Sequence, residues 1–168
     1  MTEPFETALI AALPKLRRYA LSLCRRGDVA DDLVQITVER AVTAKARFDP
    51  ETSLEAWLFR ILRNAWIDQT RRTATRGTEV DVVDMPEAAV FDGGRATEAA
   101  ILLRQTEAAL ATLPPEQQEV VRLVCFEDLS YAEAAEVLGI PKGTVMSRLA
   151  RGRVALAEKL GINRVGDA

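Results

Sequence analysis

The sequence contains no histidine. That absence removes Ser-His-Asp triads, imidazole acid–base chemistry and histidine metal ligands together. Cysteine is nearly as scarce: Cys24 and Cys125 lie about a hundred positions apart, and neither has a second cysteine at CxxC spacing, so neither a zinc site nor a disulfide framework is signalled. Long apolar runs are missing too. Nowhere do eighteen apolar residues follow one another, and Met1-Thr2-Glu3-Pro4 opens no basic stretch leading into an apolar one, so the expectation is a soluble protein of a reducing cytoplasm, without a membrane span. Alternation of β-branched residues over a strand's length is hard to find outside the middle of the chain, which argues against a sheet.

What is present is apolar spacing. With 168 residues, 48% of them apolar, the chain can bury one large or two small cores, and disorder is excluded as its overall state. The net charge of −3 hides three blocks. Residues 1–76 hold 13 basic and 10 acidic side chains, residues 77–96 hold 1 and 5, and residues 97–168 hold 8 and 10. Within the last block, 97–140 has 2 basic against 8 acidic side chains, whereas 141–164 has 6 against 1. Local fields, rather than net charge, therefore decide what each part attracts.

Helical periodicity predicts an all-α protein of two small domains, 1–76 and 97–168, joined by a flexible acidic linker at 77–96. A first helix is expected over Phe5 to Cys24, with Leu9, Leu13, Leu16, Ala20 and Leu23 on one side and Gly27 as its stop. A second should run from a cap at Asp28 to about Arg47, turning Val29, Leu33 and Ile36 inward. For the third, Thr52-Ser53-Leu54-Glu55 has the form of a capping box, and Leu54, Trp57, Leu58, Ile61, Leu62 and Ala65 follow a core-facing stripe. Trp57 is accordingly expected in the core. Periodicity fails from Thr73 to about Ala96. Further helices are expected near Thr97–Thr112, Pro115–Phe126, Ser130–Leu138 and Lys142–Leu160, with Pro115 in a first turn and Ser130-Tyr131-Ala132-Glu133 as a second capping box.

Leu129 to Arg153 has the build of a helix-turn-helix, the second domain's signature. Small residues Ala132, Ala134 and Ala135 allow a close crossing, Gly139 supplies a left-handed turn, Ile140 anchors it, and a second helix buries Val145, Leu149 and Leu156. With those three inward, Thr144, Ser147, Arg148 and Arg151 fall on an outward sector flanked by Lys142 and Arg153. Short polar and guanidinium groups there suit major-groove edges and phosphates. Arg60, Arg63, Asn64, Arg71 and Arg72 decorate the polar side and end of the third helix, a pattern suited to a melted strand. Trp66 is off the apolar stripe and stays open between packing and DNA. Asp31 and Asp32 are neighbours on a helix and point about 100° apart, so they do not converge as a catalytic or metal pair; no enzyme activity, cofactor or small-molecule substrate is expected.

Asp31-Asp32-Leu33-Val34-Gln35, Ala56-Trp57-Leu58-Phe59-Arg60-Ile61-Leu62-Arg63-Asn64, Leu113-Pro114-Pro115-Glu116-Gln117 and Gly143-Thr144-Val145-Met146-Ser147-Arg148-Leu149, in that order and at those separations, resemble the extracytoplasmic-function sigma factors of bacterial RNA polymerase. The resemblance implies an alternative sigma factor that binds core polymerase, recognises promoter DNA and helps open it, serving a stress or envelope-response regulon and held by an anti-sigma partner. It implies docking on polymerase around Asp31, Asp32, Gln35 and Glu39, of which Asp32, Gln35 and Glu39 share one face by spacing. It implies that the first domain reads the minus-ten element, with Asn64 and the loop Phe48–Ser53, including Asp49, forming the pocket for a flipped base, and that the linker threads toward the RNA exit path. The second domain would read the minus-thirty-five element, where Met146 and Ala150 depart from some relatives. Two rivals remain: a sigma-like mimic that sequesters an anti-sigma protein without binding promoter DNA, and a helix-turn-helix regulator acting without polymerase, which leaves the first three helices unexplained.

Overall fold

The structure, a computed structural model, describes residues 4–76 and 97–162; the expected linker, 77–96, lies outside them. The described residues form seven α-helices and no strand: α1 (Phe5–Cys24), α2 (Gly27–Thr43), α3 (Leu54–Arg76), α4 (Glu98–Ala111), α5 (Pro115–Val121), α6 (Tyr131–Leu138) and α7 (Lys142–Lys159). A 3-10 turn, Lys45–Arg47, follows α2, and a single π-helical turn, Arg122–Phe126, extends α5. None of these helices is long and apolar enough to cross a membrane.

In the first compact unit α1, α2 and α3 pack on one another pairwise. Leu9, Leu16, Leu33, Leu58, Phe59 and Leu62 close the core, and Tyr19 meets Phe59 edge-on with ring centroids 5.1 Å apart. Each fully buried leucine contributes roughly 1.5–3 kcal/mol of transfer free energy. Alanines fill the tight places, two per helix: Ala12 and Ala20, Ala30 and Ala41, Ala56 and Ala65. Exposed ion pairs join the helices at the surface, Lys15 to Glu55 and Arg17 to Asp31 at 2.9 Å, and Arg40 to Asp68 at 3.4 Å. At such exposure each is worth at most about 1 kcal/mol.

The first helix spans Phe5–Cys24 as expected, but the residue that ends it differs, and local chemistry moves the starts of the next two helices. Arg25 ends α1 by taking the left-handed conformation at φ 57°, its N–H donating to the Leu21 carbonyl; Gly27 is the first residue of α2 instead of a stop. Asp28 is not a cap, because its carboxylate is drawn back to the Arg26 guanidinium at 2.9 and 3.3 Å. There it still meets the positive end of the α2 dipole. The start of α3 is one residue later than the motif suggested. Ser53, not Thr52, accepts from the Ala56 N–H at 3.2 Å, while the Thr52 hydroxyl donates to the Asp49 carbonyl and Glu55 turns to Lys15.

The end of α3 passes the point where periodicity fails. Thr73 and Thr75 are helical there, donating their hydroxyls to the carbonyls of Gln69 and Arg71, each at 2.9 Å, the back-bonded arrangement a threonine takes inside a helix. The buried stripe is also rotated. Ala56 and Phe59 join Leu58, Leu62 and Ala65 inside, whereas Leu54, Trp57 and Ile61 are only half-buried. Trp57 belongs to an aromatic cluster at the margin of the core, 5.0 Å from Phe48 and 6.3 Å from Phe5 between ring centroids.

The second unit opens with Thr97, whose hydroxyl accepts from the Ala100 N–H at 3.2 Å. Pro115 occupies the first turn of α5. The Ser130 box is reciprocal: the Glu133 carboxylate accepts from the Ser130 N–H at 2.8 Å and the Ser130 hydroxyl from the Glu133 N–H at 3.1 Å. Gly139, at φ 65°, turns the chain between α6 and α7, a conformation costly for any residue with a Cβ. Of the three alanines expected at a close crossing only Ala134 is fully buried; Ala132 is exposed.

The tight crossing lies elsewhere. Gly152 of α7 is buried against α5, and a Cβ placed there would stand 2.9 Å from Val121 Cγ2 and 3.6 Å from Gln117 Cβ. Alanine at this position gains about 1 kcal/mol of helix propensity but forces a branched, buried neighbour to move, at about 1–3 kcal/mol. Gly152→Ala should therefore lower the unfolding temperature of the protein. Adding Val121→Ala should make the two changes less than additive, because the same methyl is relieved; strict additivity would contradict the crossing.

Candidate functional site

A groove of about 340 Å³ runs between α2 and α3, lined by Asp32, Gln35, Ile36, Glu39 and Arg40 from α2 and by Ala65, Asp68, Gln69 and Arg72 from α3. Asp32, Gln35 and Glu39 are all exposed, one turn apart on the rim, as their spacing predicts. Asp31 is separated from them: it faces α1, where Arg17 Nε donates to Oδ1 at 2.9 Å. The rim carries both signs, since Arg40 reaches across to Asp68 and Arg72 stands in the same groove. Asp68, Gln69 and Arg72 were not grouped with α2 by sequence reasoning. The signal was there, because 65, 68, 69 and 72 are spaced 3, 1 and 3 apart and share a helix side with the buried Ala65.

Arg60, Asn64 and Arg71, spaced 4 and 7 apart, are exposed on a neighbouring sector of α3, about 100° round the helix from the groove. Arg63 is half-buried at its edge and engaged with a neighbour. The five residues expected to act together on α3 are thus split, with Arg72 on the α2 side. Trp66 is half-buried and lies nearer to Arg63 than to the other three around the helix.

The loop that precedes α3 is held from both ends. Phe48 is half-buried in the cluster with Phe5 and Trp57, and Lys45, hydrogen-bonded to Glu6, lies 5.3 Å over the Phe5 ring. That ammonium holds the Glu6 carboxyl below its ordinary value. Asp49 is exposed and folds the turn, its Oδ1 accepting from the Glu51 N–H at 2.9 Å and its carbonyl from the Thr52 N–H at 3.0 Å. The backbone of this loop is therefore shaped before any ligand arrives.

On α7 the buried side is Val145, Leu149 and Gly152. Lys142, Ser147, Arg151 and Arg153 are exposed, whereas Thr144 and Arg148, one turn apart, are half-buried at the margin. Ser147 donates its hydroxyl to the Thr144 carbonyl at 3.2 Å, and Arg153 Nη2 comes within 3.9 Å of Cys125 Sγ. Ser147 and Arg151 share the outward face; Arg153 lies on a different flank. Among the described residues no three His, Cys, Asp or Glu side chains gather as a metal site.

Comparison with known proteins covers both units. The Sigma-70 region 2 model matches residues 9–76, which is α1 to α3, and the Sigma-70, region 4 model matches residues 103–156, which includes α5 to most of α7. The ECF RNA polymerase sigma factor EcfG of Rhodopseudomonas palustris is 36% identical over 167 residues, 99% of this chain and 91% of that protein. The chain belongs to the extracytoplasmic-function sigma factors. The sigma factor SigM of Mycobacterium tuberculosis is 34% identical over 90% of this sigma factor and 74% of its own length. Among solved structures, the sigma factor RpoE from Bartonella quintana, crystallised with the anti-sigma factor NepR, matches with a TM-score of 0.78 and 34% identity over 95% of this chain and 98% of that one.

The two thiols of this sigma factor differ. Cys24, half-buried, has its thiol against the Arg26 carbonyl at 3.3 Å, and burial pushes its pKa up; Cys125 is exposed. A raised pKa keeps the thiol protonated to higher pH, and the thiolate is the reactive form. Labelling of single-cysteine variants should be faster at Cys125 near pH 8, and the rate at Cys24 should keep climbing above the ordinary thiol value of about 8.5. A Cys24 rate that levels off below that pH would contradict the assignment.

Proposed function

We propose that this sigma factor docks on core RNA polymerase through the rim of the α2–α3 groove, using Asp32, Gln35 and Glu39, with Asp31 contributing from the α1-facing side of the same helix. The exposed sector of α3, with Arg60, Asn64 and Arg71 and with Arg63 at its edge, faces the melted minus-ten strand, and the preshaped loop at Phe48 and Asp49 borders the pocket for a flipped base. Arg72 stands at the junction of the groove and the DNA-facing end of the helix. Lys142, Ser147 and Arg151, flanked by Thr144, Arg148 and Arg153, address the minus-thirty-five duplex. The acidic 77–96 segment joins the two domains, 1–76 and 97–168. An anti-sigma protein holds the factor inactive until a stress or envelope signal releases it.

The observation that carries this reading is the separation of the three groups. Asp32, Gln35 and Glu39 stand on the rim of the α2–α3 groove, whose lining includes Arg40 and Arg72, while Arg60, Asn64 and Arg71 lie on another side of α3 and a third set lies on α7. Helix spacing alone sets those directions, so one rigid unit can hold polymerase on one side and DNA on another. The anti-sigma element is supported by the Bartonella quintana relative, a sigma factor solved with its inhibitor. A mimic that only sequesters an inhibitor has no use for cations on α3 and α7. A regulator acting without polymerase has no use for the groove.

Two experiments test the reading. Asp32→Lys with Gln35→Ala should weaken assembly with core polymerase about tenfold or more while circular dichroism is unchanged, since both side chains are exposed and the loss is of interface charge. Assembly at wild-type affinity would remove the docking face. On one promoter, Arg151→Ala should weaken upstream recognition by about 1–3 kcal/mol, whereas Asn64→Ala should leave the closed complex intact and slow strand opening, because a flipped base is available only after unstacking. Permanganate footprinting beside a binding assay separates the two; equal effects of both variants on binding and on opening would refute the division of labour.

A further inference from the structure

The outward face of α7 is not uniformly polar. Met146 is 49% exposed, Val154 is 43% exposed, and Ala150 between them is exposed as well. At a spacing of four these three stand in a row along the helix, rising about 6 Å per step. Ser147 and Arg151, each one residue further on, run beside the row. A shallow apolar hollow lined by Ala150, Arg151, Val154 and Ala155 occupies its C-terminal half and ends at Glu158. The row is turned away from Val145, Leu149 and Gly152, so it does not serve the core of this unit.

Neither Met146 nor Ala150 can donate or accept a useful hydrogen bond to a base edge. In the major groove one base offers an apolar group instead, the C5-methyl of thymine. The cations beside the row match a phosphate-lined groove, and the Glu158 carboxylate, which phosphates repel, bounds the DNA-facing stretch before the helix ends. A duplex is thus the occupant that charge and shape favour for the N-terminal half of the row.

We propose that Met146 and Ala150 read thymine methyl groups in the upstream promoter element, selecting thymine at two positions by apolar contact. The inference rests on the reading of α7 as the upstream-element helix and names the chemistry of that contact. The four-residue spacing, about 6 Å, covers fewer than two base steps of about 3.4 Å, so the two thymines are one or two base steps apart. Arg151 and Ser147 fix the register on phosphates and neighbouring edges.

The test uses holoenzyme assembled from core polymerase and the full chain. Promoter duplexes randomised across the upstream element are selected by binding, and the selected duplex is remade with deoxyuridine for thymidine at single positions. Loss of one contacted methyl should weaken binding about fourfold, the value of one buried methyl-sized group. Met146→Ala should abolish the penalty at one thymine and Ala150→Ser at the other, with assembly on core polymerase unchanged in both variants because neither side chain is in the core or the docking groove. Deoxyuridine binding as tightly as thymidine at every selected position would overturn the proposal while leaving α7 as the reading helix. A penalty that persists in both variants would also overturn it, and enrichment of no upstream sequence would overturn the α7 assignment together with this inference.

Discussion

Small side chains where helices cross set the dimensions of this protein. Helix axes approach to about 8–10 Å according to what lies between them. In the first unit the six buried alanines, two on each of α1, α2 and α3, bring the axes close while leucines and Phe59 fill the remaining volume. In the second, Gly152 does the same for α5 against α7. Close approach is what lets the core of a chain with only 5% aromatic residues reach adequate density. It also fixes the angular position of every outward side chain, because a helix cannot turn on its axis without driving a longer residue into the alanine or glycine contact.

From that constraint follows the use of the surface. The α2–α3 groove mixes both signs, whereas the Arg60, Asn64 and Arg71 sector of α3 carries cations without a carboxylate among them, so a net charge of −3 is compatible with a local face that attracts phosphate. The ion pairs between helices, all substantially exposed, add little to stability; they engage Arg17, Asp31, Arg40 and Asp68, and not Asp32, Glu39, Arg60 or Arg71. On α7, guanidinium groups stand beside an exposed apolar row of Met146, Ala150 and Val154.

Most of the architecture was legible in the residues. The seven helices, the two units and the reciprocal Ser130–Glu133 cap all follow from apolar spacing and capping chemistry, and the family could be recognised from four short motifs in order. What escaped has identifiable causes. The α1 stop depended on Arg25 taking a left-handed conformation that its side chain does not advertise, and the α3 start depended on competition among Asp49, Lys15 and Ser53 for neighbouring groups. The continuation of α3 through Arg76 runs through threonines and arginines that bury no apolar stripe, so periodicity does not register it. Gly152 carried no turn signal, since its role is a contact with α5 thirty residues away in sequence. Within the candidate site, the separation of Arg72 from Arg71 follows from the 100° step between neighbours, but only the groove showed which side belongs to which group.

The central claim is that this chain directs polymerase to promoters made of two separated elements. Sequencing the 5′ ends of transcripts made from genomic DNA by core polymerase with and without the protein tests it most directly. The account predicts a new set of start sites, each preceded by two short elements a constant distance apart. Start sites indistinguishable from those of core polymerase alone, or new sites sharing only one element, would contradict it.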